Sequence, residues 1–94
     1  MNKKLELKDT IALMTSSDYK QRFIAEYWQT KIRYEKLKDF SNRIELANLD
    51  IMSGPNHDVP YNVLREQQRV MSEYLHILEL RAIIENIDLY EKII

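Results

Sequence analysis

"EYWQTKIRYEKL", Glu26 to Leu37, decides the fold. Nothing in it breaks a helix, and Tyr27, Thr30, Tyr34 and Leu37 recur at intervals of three, four and three. Side chains at that spacing share one face of an α-helix. Phe23 extends the face backward by one turn. Ile44 and Ile51 carry the rhythm forward through the polar Ser41 and Asn48. The same stretch holds a second apolar set, Ile24, Trp28 and Ile32, spaced by four and directed to another side. A helix with two apolar sides needs two partners.

Working outward, Asp18 with Gln21 three residues on forms a capping-box pattern. It predicts a long helix over 18–48, weakening past Phe40, where Ser41, Asn42 and Asn48 have lower helix propensity. Ahead of it, "LELKDTIALMTSS" predicts a short helix over 7–15, capped by Asp9 or Thr10, with Ile11, Leu13 and Met14 as its apolar residues. "SGPNHDVP", Ser53 to Pro60, holds the only Gly and both prolines, which predicts a loop over 49–59. Pro60 suits the first turn of a third helix over 60–86, and Asn86 suits a left-handed cap. "IDLYEKII", 87–94, is an apolar tail expected to dock or fray.

The third helix also carries two stripes. Leu64, Gln68, Met71, Leu75, Leu78 and Ala82 form one; Val70, Tyr74, Ile77, Arg81 and Ile84 form the other. The expected fold is all-α: a short N-terminal helix plus a long antiparallel helical hairpin, assembling into an oligomer. Ile24, Trp28, Ile32, Val70, Tyr74, Ile77 and Ile84 are the expected subunit interface. A three-helix monomer, with the N-terminal segment filling one groove, is the rival.

The 94 residues suit one domain. A domain of that size buries only about 60–65% of its unfolded surface, so association would help it. There is no cysteine, hence no disulfide framework and no thiolate site. Net charge is −1, against the positive excess of proteins that wrap DNA or RNA, so no DNA partner is expected. Residues 1–40 hold nine Lys/Arg against six Asp/Glu, and residues 41–94 hold five against nine. That asymmetry suits antiparallel pairing and leaves room for a local basic pocket. No long apolar run exists, so neither a membrane span nor a leader peptide is expected, and a cytoplasmic location is.

Arg81 lies within the second stripe of the third helix. A buried guanidinium there needs a partner, either a glutamate such as Glu85 or an anion held between subunits. Lys31, Arg33, Lys36 and Lys38 interleave with Tyr27, Trp28 and Tyr34. Such a set either stays solvated or stacks bases and clasps phosphates. Arg65 and Arg69, one turn apart, could join it. The candidate ligand-binding residues are therefore Tyr27, Lys31, Arg33, Arg65, Arg69 and Arg81. His57 and His76 have no second nitrogen ligand nearby, so no metal is expected. No phosphate loop or nucleophile elbow exists, so neither an enzyme nor a cofactor is expected.

"DYKQRFIAEYWQTKIRYEKLKDF" and "VPYNVLREQQRVMSEYLHILELRAIIENIDL", spanning Asp18 to Leu89, resemble a family of small phage and prophage helical-hairpin proteins known as relatives of a crAss-like phage protein. Val59 stands where that family often has Cys, and Asn86 where it often has Gly. The architecture also resembles the hairpin proteins with which phages block CBASS and Thoeris defence by sequestering cyclic or ADP-ribose-derived nucleotides between subunits. That resemblance implies a phage-encoded anti-defence sponge for a small cyclic nucleotide immune signal, acting in the cytoplasm of an infected bacterial host. The alternative is a protein-binding inhibitor or adaptor, such as a decoy or a virion accessory protein, working through its apolar or acidic helix faces.

Overall fold

The computed structural model describes residues 5–90. Glu91 to Ile94, the end of the expected apolar tail, lie outside the described residues. The described residues form three helices and no strand. A 3-10 turn, Leu7–Thr10, leads directly into α1, Ile11–Met14. The two long helices are α2, Tyr19–Asn48, and α3, Tyr61–Ile84, which pack antiparallel as a hairpin.

Each boundary has a local cause. The Glu6 N–H donates to Asp9 Oδ2 at 2.9 Å and starts the 3-10 turn, so Asp9 closes that turn from inside it. Asp18 caps α2 by accepting from the Lys20 N–H at 3.0 Å. Helix α2 does not weaken past Phe40; it continues to Asn48. Ser41 and Ile44 are buried there, so packing against α3 outweighs the low propensity of Ser41, Asn42 and Asn48.

Both long helices end in the same way. Asp50 (φ 60°) and Asn86 (φ 57°) take the left-handed conformation just beyond the last turn. Around Asn86, the Ile87 N–H reaches Ala82 O at 2.8 Å and the Asn86 N–H reaches Ile83 O at 3.3 Å. The Ile51 and Asp50 N–H groups make the equivalent bonds to Leu46 and Ala47 at 3.0 Å. This paired pattern is the Schellman motif. Past Asp50 the loop doubles back onto α2: a Cβ on Gly54 would lie 2.8 Å from Ala47 Cβ and 3.0 Å from Arg43 O. Only glycine allows that approach.

The core lies between α2 and α3 and continues behind α2. Phe23 and Tyr27 meet Leu75, Leu78 and Ala82 across the hairpin. Leu13, Ile24, Ala25, Ile87 and Leu89 extend the same cluster around the helix. Each fully buried Leu, Ile or Phe in it contributes about 1.5–3 kcal/mol.

Candidate functional site

Several expected site residues prove to be core. Ile24 and Ile32, expected at a subunit interface, are 4% and 8% exposed within the single chain. The 3-10 turn and α1 pack against α2 from one side, and the segment after α3 closes the other. Trp28 is half-buried; its Nε1–H donates to Leu89 O at 2.6 Å, and Tyr90 meets its ring edge-on at 5.5 Å. Thr10, fully buried, accepts from Gln29 Nε2 at 3.0 Å and anchors the N-terminal segment to α2. Most of this patch is covered by its own chain, Trp28 remaining half-buried.

Tyr27 is likewise no stacking platform. It is 2% exposed, and its hydroxyl donates to Glu79 at 2.8 Å. Burial first, and the Glu79 carboxylate second, push its phenol well above the ordinary value.

The arginines separate to different parts of the hairpin. Arg65 sits at the loop end, donating to Glu45 and Gln68 at 2.7 Å and to Asn42 at 3.0 Å. Tyr61 completes the cluster by donating to Glu45 at 2.6 Å. The Tyr61 hydroxyl, and after it Arg65, hold the Glu45 carboxyl below its ordinary value. Arg69 pairs with Glu66 and Glu73 along its own helix.

A matching cluster closes the other end. Arg81 donates to the Tyr19 hydroxyl at 2.7 Å and to Glu85 at 3.1 Å, with its guanidinium 4.9 Å from the Phe23 ring centroid. Tyr19 donates to Glu85 at 2.8 Å, and this bond, with Arg81, lowers the Glu85 carboxyl. Arg81 is therefore not the buried guanidinium expected from its place in the stripe. Its side chain is 45% exposed, and it is paired within the chain.

Lys31 lies elsewhere again. It lines an open groove of about 930 Å³ with Leu5, Trp28, Ile32, Glu35 and Lys36. It pairs with Glu35 at 3.4 Å. The acids lining this groove offset its lysines.

One broad face remains open. On α3, Val70, Tyr74, Ile77 and Ile84 are exposed, from 40% at Tyr74 to 81% at Ile84. Val63, also exposed, extends the stripe. The four-three rhythm run back from Val70 through Gln67 would have found it. Glu26 of α2 accepts from the Tyr74 hydroxyl, which ties the two helices along this face. Arg33 stands six residues beyond Tyr27 and twelve before Glu45, whose partners Glu79 and Tyr61 lie six after and twelve before Glu73; in antiparallel helices that sets Arg33 level with Glu73, beside the stripe. Arg33 is exposed and has no hydrogen-bond or ion-pair partner among the described residues. Of the six candidate ligand residues, Arg81 lies within this stripe and Arg33 beside it, about 12 Å apart along it at 1.5 Å rise per residue.

Among the described residues no three His, Asp or Glu side chains converge as a metal site, and no helix is long and apolar enough to cross a membrane. No curated protein and no solved structure matches the chain. A family model described as Sequestin matches residues 17–84, which take in α2, the loop and α3. The likeness to crAss-like phage proteins finds no counterpart there.

Proposed function

The chain belongs to the Sequestin family, and we propose that it is a phage-encoded binding protein that sequesters a small anionic nucleotide signal of the bacterial host's immunity. It would do so in the host cytoplasm, without catalysis, and as an oligomer whose subunits enclose the nucleotide. The family's name denotes sequestration. The observation that carries the reading is the open face of α3: an apolar stripe containing Arg81 and bordered by the unpaired Arg33. Guanidinium groups clasp phosphates bidentately, and an aromatic ring such as Tyr74 offers a surface for a base. Closing such a site against water needs a second surface, because within one protomer these groups face solvent.

Thermal unfolding with cyclic di- and trinucleotides and cyclic ADP-ribose isomers tests this. A compound held at about a hundred times its dissociation constant adds roughly 2.7 kcal/mol. For a domain of this size that raises the midpoint by roughly 10–20 °C. No shift with any of them removes the nucleotide reading.

The same apolar stripe favours one other function, a protein-binding inhibitor that lays this helix face into a partner's groove. A salt-sensitive one-to-one complex with a host protein, formed without any small molecule, is its signature.

A further inference from the structure

The exposed α3 stripe reads the same from both ends. Val63, Gln67, Val70, Tyr74, Ile77, Arg81 and Ile84 run apolar, polar, apolar, tyrosine, apolar, polar, apolar. A second copy laid on it antiparallel, about a two-fold axis at Tyr74, sets Val63 against Ile84, Val70 against Ile77 and Gln67 against Arg81. Laid parallel, the same stripe would set Arg81 against Arg81. Like charges at one level oppose contact, whereas the Gln67 amide oxygen accepts from a guanidinium. The charges therefore select an antiparallel copy as the occupant of this face. Val63, Val70, Ile77 and Ile84 are all exposed in the single chain, so they are free to meet it.

The same axis decides where Arg33 goes. Arg33 is level with Glu73, one position from Tyr74, so its backbone lies about 1.5 Å from the axis along the hairpin. It stands on the side of α2 that borders the stripe. Glu26, seven residues earlier on the same helical face, accepts from the Tyr74 hydroxyl. An axis that crosses both helices at this level lays α3 on α3 and α2 on α2. Arg33 of one copy then meets Arg33 of the other, the two backbones about 3 Å apart along the helix direction. We propose that two copies pair antiparallel through the α3 stripe and that their two Arg33 side chains converge at the two-fold axis to hold one phosphate-bearing anion. This rests on the sequestration reading and gives it a stoichiometry, one anion to two chains.

The carboxylates beside Arg33 in sequence or in level are engaged elsewhere. Glu35 pairs with Lys31, Glu73 pairs with Arg69, and Glu26 accepts from Tyr74. Two unpaired guanidinium groups brought to one point oppose association unless an anion lies between them. Anion binding and pairing are then linked, and by reciprocity each strengthens the other. A ligand on the axis meets two identical half-sites, so the site suits an anion whose two phosphoryl groups are equivalent.

Sedimentation of the full chain in inorganic pyrophosphate, against sodium chloride of equal ionic strength, reads the linkage. Pyrophosphate should tighten association on the order of tenfold, an ordinary coupling between two binding events. R33A should pair more tightly than wild type in chloride and gain nothing from pyrophosphate. Ile77→Glu should give a monomer of unchanged helicity, since Ile77 is exposed in the protomer. The register is read by disulfide formation: V70C mixed with I77C should join as a mixed pair, whereas V70C alone should not join to itself. A wild-type chain that stays monomeric at several hundred micromolar, with or without pyrophosphate, overturns the proposal. So does an R33A chain that answers to pyrophosphate as wild type does, or a V70C chain that links readily to itself. Pyrophosphate-linked pairing without a thermal shift from any nucleotide would sink the sequestration reading and leave the two-copy site standing.

Discussion

Two surplus apolar surfaces meet opposite fates in this hairpin. The Ile24–Trp28–Ile32 patch on α2 and the Val70–Tyr74–Ile77–Ile84 stripe on α3 look alike as patterns. Each is a helical-spaced apolar row beside the hairpin seam. In the folded chain the first is largely covered by α1 and by Ile87 and Leu89, with Trp28 half-buried at the edge of a groove, while the second stays exposed along its length. A short segment of chain can cover a patch of three residues. None of the described segments reaches a stripe that runs about 32 Å from Val63 to Ile84. The lesson is one of economy of interpretation: an extra stripe on a small domain is first a question about its own termini, and only the stripe they leave open points to another molecule.

The largest expected effect separates the two surfaces directly. Ile24→Ala removes a buried side chain and should cost about 2–4 kcal/mol. Ile77→Ala, made on the open stripe and measured at dilute concentration, should stay within about 0.5 kcal/mol. Urea unfolding of both variants checks this, and equal losses would erase the contrast.

Next comes the alkaline limit, which reports on the sealed side. The Tyr27 phenol is raised in the folded state, so its contribution is fully present below the ordinary tyrosine value and fades as pH climbs past it. The wild-type melting temperature should therefore fall above about pH 10, where unfolded tyrosine ionises. Tyr27→Phe should flatten that fall; an unchanged slope would show that Tyr27 is not held protonated by its surroundings.

The smallest effect lies at the turn that sends the chain back to cover α2. Asn86 holds a positive φ that glycine adopts without strain. Asn86→Gly should leave the fold intact and stabilise it by a few tenths to about 1 kcal/mol. A large loss on calorimetry would mean that the Asn86 side chain itself fastens the returning segment.

Much of this was legible in the residues. The helical class follows from the period of Phe23, Tyr27 and Tyr34, the start of α2 from Asp18, and the left-handed cap from Asn86, because caps and helical faces are set by neighbours three or four positions apart. The candidate ligand set was legible only as chemistry. Tyr27 was chosen for its ring and is core; Arg65 and Arg69 were chosen for charge and are paired with carboxylates of the same chain. Partners such as Glu79, 52 positions from Tyr27, leave no mark in the local pattern. Thus the sequence alone determined that the chain is helical and has two apolar surfaces too many. Only the tertiary structure decided which of them stays open, because coverage depends on where distant segments such as Leu89 come to rest, and that path is set by long-range packing.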